Sequence, residues 1–267
     1  MTASADLPSL GELGEDLLAV TRAQRYRALA RPFVGLGCFA VVAWLHWWWL
    51  APLVVFAVFV AVVTATHDVV HGALGLGERA TGVWLFVLGA VLLESGHAYR
   101  MTHRQHHAVF PDPSDPEGYP AELSWLGAVA YGPVFLVRLW VWSLRRASAA
   151  GRAVLVAEAC VPVAVVTIGL LMWSVAPGVL VYAVLVIVGS WTYPLLTVHL
   201  PHHGYGDEPV RQTRTLRGRV IPAIFLELTY HLEHHLYPRV PSHNLPELAR
   251  RLEPYLAAAG VRPVRVP

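Results

Sequence analysis

The sequence predicts an all-α membrane protein: four transmembrane helices with a cytosolic helical cap carrying a histidine-rich di-metal site. Three observations lead there. The chain has 267 residues, of which 55% are hydrophobic and only 14% charged, and its mean hydropathy of +0.49 is far above that of an ordinary soluble domain. Four stretches are each apolar over the roughly 20 residues that a helix needs to cross a bilayer. The chain also holds 14 histidines, and all but His46 fall at or beyond the same set of span ends.

Taken in chain order, residues 1–30 carry acids early and no apolar core beside a cleavage site. They read as a cytosolic N-terminal helix and not as a removable signal peptide. A membrane domain follows over 31–250, with spans at 31–50, 51–70, 153–173 and 178–198. The first pair turns at Ala51 and Pro52, the second at Ala176, Pro177 and Gly178. Between the pairs, segments 82–96 and 124–144 are short or interrupted by Gly132 and Arg138, which suits helices lying at the interface or packed beneath the membrane. Residues 251–267 form a C-terminal tail. All 20 cationic residues are arginine, and none falls in either tight turn. The positive-inside rule then places both termini and the histidine layer in the cytoplasm, in a multi-pass protein of a bacterial inner membrane. Trp47, Trp48, Trp49 and Trp173 form an aromatic belt at the outer interface. A net charge of +2 argues against nucleic acid. Cys38 and Cys160 lie far apart in apolar stretches and suggest neither a disulfide nor a thiolate metal site.

The histidines come in boxes. HDVVH closes the second span with His67 and His71. HRQHH supplies His103, His106 and His107, and HLEHH repeats that spacing with His231, His234 and His235. LPHH follows the fourth span with His202 and His203, just after His199. Residues at i, i+3 and i+4 share one helix face, so each box projects its imidazoles in one direction. Neutral imidazole ligates Zn, Fe, Cu or Ni, and a single tetrahedral zinc would take three or four. Eight in boxes, with others nearby, are enough for two metals. With no thiolates, they point to iron handling oxygen at a metal pair. His46 and His243 read as ordinary surface or core residues.

The order HDVVHG, HRQHHAVFPDPSDPE, HLPHHG and YHLEHHLYPRVPSHNLPEL resembles the membrane fatty-acid desaturase superfamily, the histidine-box di-iron desaturases with their carotenoid hydroxylase and ketolase branches. The resemblance runs from about residue 31 to 250. It implies a cytosolic di-iron centre of two Fe ions, with O2 as co-substrate. Its ligands by the family pattern are His67, His71, His103, His106, His107, His231, His234 and His235. A ninth matches His202 best, with His199 and His203 as rivals. Carboxylates that orient ligating imidazoles are expected nearby: Asp68 beside His67, Asp115 in the loop after the second box, and Glu227 one turn before His231, with His97 as a further outer-layer group. Glu158, inside the third span, either lines a substrate channel or pairs with an arginine.

The expected activity is O2-dependent desaturation or hydroxylation of unactivated C–H bonds in a lipophilic membrane substrate. An acyl lipid or fatty acid is the first reading and a carotenoid ring, hydroxylated or converted to a ketone, the second. No dinucleotide-binding GxGxxG unit, cysteine cluster or haem domain is present, so electrons are expected from a ferredoxin-like donor. Arg211, Arg214, Arg217 and Arg219 are a candidate docking patch for it. Two other classes compete: a zinc-dependent intramembrane hydrolase, which would leave most of these imidazoles idle, and a metal transporter, whose ligands belong near the membrane midplane.

Overall fold

A computed structural model describes residues 7–225 and 229–267. The described chain is almost wholly helical, as expected, and its only strands are a two-residue parallel pair. After a capped turn, α1 (Leu10–Leu13), come α2 (Arg22–Trp44), α3 (Ala51–Val70), α4 (Glu78–Leu92), α5 (Gly96–Val109), α6 (Trp125–Arg146), α7 (Ala149–Leu171) and α8 (Pro177–Ser190). A π-helical turn at Pro194–His199 leads into α9 (Leu200–His202), and α10 (Val220–Phe225), α11 (His231–Leu236) and α12 (Leu245–Ala258) complete the chain.

Five stretches are long and apolar enough to cross a membrane, at Arg22–Trp44, Trp48–Val70, Trp125–Arg146, Ala149–Leu171 and Pro177–His202. The chain is therefore a multi-pass membrane protein. Two of these differ from the four expected spans. The first begins nine residues early, because Thr21 and Gln24 cap each other's backbone and start one helix that runs through Pro32 without a break. Residues 22–30 thus belong to this first long helix. The extra one is α6, which Gly132 and Arg138 do not interrupt. A Cβ at Gly132 would lie 2.0 Å from the carbonyl oxygen of Trp191, so this glycine lets α6 touch the end of α8 and is not a helix breaker here.

Helix α3 is apolar on every side and sits at the centre: every residue from Val58 to Val70 is buried. It packs against α2, α4 and α8. Between α4 and α5 the chain bends by 105°. Ser95 makes the turn by accepting from the Ala98 N–H, which caps α5.

A second, smaller core forms the cap. Helix α12 buries Leu245, Leu248, Leu252 and Leu256 along one stripe, against Leu13, Leu17 and Leu232. The N-terminal segment is strapped to it: the Tyr237 hydroxyl donates to the Pro8 carbonyl, Asn244 to that of Leu17, and Arg251 to Leu13 and Asp16. Strands β1 (Leu216–Arg217) and β2 (Val264–Arg265) tie the C-terminal residues in beside α11. There Arg217 reaches the fully buried carboxylate of Glu233 at 2.5 Å. This removes Arg217 from the expected docking patch. Arg214 is likewise half-buried and lies over the Tyr205 ring, which leaves Arg211 and Arg219 exposed.

Candidate metal centre

Four separate stretches of chain deliver the histidines. His67 and His71 come from the last turn and cap of α3, three histidines from α5, His202 from α9 and three from α11. The π-helical turn before α9 shifts the phase of the chain just ahead of His202, a device common at functional sites.

These side chains converge in two groups. Nitrogens of His67, His71, His103, His107 and His234 all lie within 4.8 Å of one another, and so do those of His106, His202 and His235. His231 joins the second group, with its Nε2 3.1 Å from the Nε2 atoms of both His202 and His235. The nine residues named first in the sequence thus fall into a set of five and a set of four. His199 and His203 are in neither; their Nδ1 atoms face the carbonyls of Pro120 and Ala121 at 3.0 and 2.8 Å. Among the three rivals after the last span, the geometry favours His202.

The donor chemistry fits cations. His103 Nδ1 faces Glu117 at 3.1 Å, His106 Nδ1 faces Asp115 at 2.6 Å, and His202 Nδ1 faces the Gln212 carbonyl at 2.9 Å. Each of those nitrogens therefore carries the ring proton, leaving Nε2 as a bare lone pair. Yet the Nε2 atoms point at one another: His107 to His234 at 2.9 Å and to His103 at 3.2 Å. The Nε2 of His71 is buried with no hydrogen-bond partner among the described residues. Lone pairs gathered this closely suit a shared positive ion. On α11, burial first, and then the neighbouring imidazoles, hold His231, His234 and His235 well below the usual histidine range, so they stay neutral and ready to ligate.

Outside the clustered nitrogens lies a layer that the sequence revealed only in part. Asp115 accepts from His106 Nδ1. Glu117 was not foreseen; it bridges His103 and the Thr102 hydroxyl, while its own N–H donates to Asp115. The Asp-Pro-Glu run after the second box carried that signal, since a carboxylate two residues along the same turn reaches the next ring of the box. Burial pushes the Glu117 carboxyl up to about 7, and a cation on His103 would favour its ionised form. Asp68 holds no imidazole and instead accepts from the Ser242 N–H and hydroxyl. His97 pairs with Glu158 at 2.7 Å, away from both groups. Glu227 lies outside the described residues. Replacing Glu117 with Gln should weaken metal binding about 10- to 100-fold, as measured by chelator competition, whereas Asp112→Asn, in an exposed turn, should leave it unchanged.

One cavity of ≈ 270 Å³ opens onto both groups, with His67, His103, His106 and His231 in its wall. The rest is mainly apolar, from Phe135, Leu139 and Trp140 of α6 and Pro162 of α7. Glu158 also lines it, satisfied by Ser95 and His97 rather than by an arginine.

The chain is 26% identical over 239 residues to a β-carotene ketolase of Paracoccus sp. (strain PC1), a match covering 82% of this chain and 81% of the relative. The family model for fatty acid desaturases matches residues 43–266, and the chain is a member of the fatty acid desaturase family.

Proposed function

We propose that this protein is an O2-dependent oxidase of a lipophilic membrane substrate, with two irons held by the five-histidine and four-histidine groups. The observation that carries the reading is the apolar cavity walled by imidazoles of both groups. A reduced iron pair supplies O2 activation and cleavage of an unactivated C–H bond, chemistry that no side chain provides. The chain's own residues do the rest. Asp115 and Glu117 hold the rings of His106 and His103 in place, and Phe135, Leu139 and Trp140 bind apolar carbon and exclude water beside them. In the overall reaction one oxygen atom enters the substrate or leaves as water, the other leaves as water, and two electrons come from a ferredoxin-like donor.

The name of the Paracoccus relative favours the ring of a carotenoid as substrate. The name of the family favours an acyl chain as the second reading. The metal layer is assigned to the cytoplasmic face, because the turns at the opposite ends of α2–α3 and α7–α8 carry no arginine. We read four helices as spans, with α6 lying along the inner face. Its first turn follows the loop that carries Asp115 and Glu117, and its last turn is joined by two residues to the start of α7. Purified protein should hold two iron ions per chain. In a host that makes β-carotene, expression should give a new oxygenated pigment. A single zinc per chain would overturn the oxidase reading; a new lipid double bond with unchanged pigment would replace the carotenoid by the acyl chain.

A further inference from the structure

We propose that His97 and Glu158 relay protons from bulk water to the cavity beside the histidine groups. This rests on the oxidase reading, whose balance requires them: each turnover takes up one O2, two electrons and two protons, and releases either an alcohol and one water or an alkene and two waters. A bare charge is too costly to move through an apolar wall, so a proton needs a line of groups that accept and donate it. Among the described residues the wall holds three carboxylates. Glu94 accepts from Tyr193, and Glu117 from Thr102 and His103, partners that are themselves buried. Glu158 differs. It lines the cavity and is 1% exposed, yet one of its oxygens meets Nδ1 of His97 at 2.7 Å, and the His97 side chain stands outside the wall and is 25% exposed. Its other oxygen accepts from the Ser95 hydroxyl, which keeps the carboxylate aimed.

The second ring nitrogen of His97 faces the other way. A Cβ at Gly82 of α4 would find His97 Nε2 at 3.6 Å and no other neighbour within 4 Å, so the missing side chain leaves Nε2 an open approach. That approach is flanked by solvated charge and not by lipid-facing carbon: four residues before Gly82 and three after His97, Glu78 and Arg100 pair across the same two helices, with the Glu78 side chain 85% exposed. Helix α6 meets this part of α5 through an uncharged group, Ser143, which donates to the Ala98 carbonyl. A proton from water binds at Nε2, the Nδ1 proton passes to Glu158, and the carboxyl releases it on the cavity side. The imidazole ends neutral and the carboxylate ionised, so no charge accumulates.

The test joins labelling to kinetics on the purified full-length protein. Diethyl pyrocarbonate, which acylates an accessible imidazole nitrogen, should label His97 in wild-type protein, as read by peptide mass spectrometry. Gly82→Leu, which places a side chain over Nε2, should protect it. Gly82→Leu and Glu158→Gln should each slow O2 uptake, driven by a reduced ferredoxin with β-carotene or a stearoyl phospholipid as substrate, about tenfold without loss of iron. The solvent deuterium isotope effect on that rate should rise to about threefold in both, because proton delivery now limits it. His97→Gly should be slowed likewise and recover with added imidazole. An unlabelled His97 in wild-type protein, unchanged rates in both variants, or slower rates with an unchanged isotope effect overturns the relay alone. If wild-type protein takes up no O2 with either substrate, the oxidase reading fails and the relay falls with it. Should Glu158→Gln fail to fold, Gly82→Leu and His97→Gly decide.

Discussion

Replacing His234 with alanine should reduce oxidation to below about 1% of the wild-type rate and remove about one iron per chain. Its ring is 1% exposed and sits among imidazoles from two other helices, α3 and α5, with centroids 3.9 Å from His67, 4.7 Å from His71 and 4.6 Å from His107. His103 cannot offer a second nitrogen in its place, because its Nδ1 is turned away toward Glu117, and α11 is held by the buried Glu233 ion pair. The effect should be local. Helix α11 belongs to the cap core and not to a span, so the variant should still insert in the membrane and keep its helical content. His203→Ala supplies the contrast: that ring is exposed and faces the Ala121 carbonyl, so iron content should stay at two and oxidation near wild type. Iron analysis and turnover on the same preparations check both. Full iron and full activity in His234→Ala would remove it from the ligand set.

What the sequence disclosed about this centre, and what it did not, follows from how far each signal reaches. The i, i+3, i+4 spacing fixes a direction on a helix by local geometry alone, and so the boxes of α3, α5 and α11 could be read from single stretches. That three histidines crowd after the last span could be read too. The family pattern picked His202, but local spacing could not tell which of them turns inward, because the π-helical turn Pro194–His199 just before it packs against α6. The outer layer was legible only where a carboxylate sits close in sequence to its ring, as Asp115 does to His106. His97 and Glu158 are 61 residues apart and meet only when α5 crosses α7. Arg217, which reads in the sequence as one of a surface run, is drawn inward from β1 by Glu233 of α11. Glycines misled for the same reason: Gly132 counts as an interruption in a propensity scale, but as an access point once the neighbouring backbone is known.

Gly96→Ala should destabilise the fold by about 3 kcal/mol and cut activity about 100-fold. The backbone at Gly96 is ordinary, with no positive φ, and alanine is the better helix former by about 1 kcal/mol. On local grounds alone the change should stabilise α5. The opposing effect is one of space. An added Cβ would lie 2.1 Å from the Leu85 carbonyl oxygen and 3.1 Å from its Cα, and one at Gly89 across the bend would lie 2.7 Å from both the Glu94 carbonyl oxygen and the Gly96 nitrogen. Backbone cannot swing aside as a flexible side chain can, so the 105° bend must open and α5 must shift as a body. That helix carries His103, His106 and His107 at its far end, in both metal groups, and Ser95 and His97 at its near end, on Glu158. A displacement of about 1 Å there disturbs the metal groups and the cavity together. Thermal unfolding in detergent should move down by about 10 °C. Gly37→Ala on α2, where nothing lies within 4 Å of the new Cβ, should leave it unchanged or raise it slightly. An unaltered midpoint and full turnover in Gly96→Ala would mean that the tight α4–α5 contact does not set the position of the second histidine box.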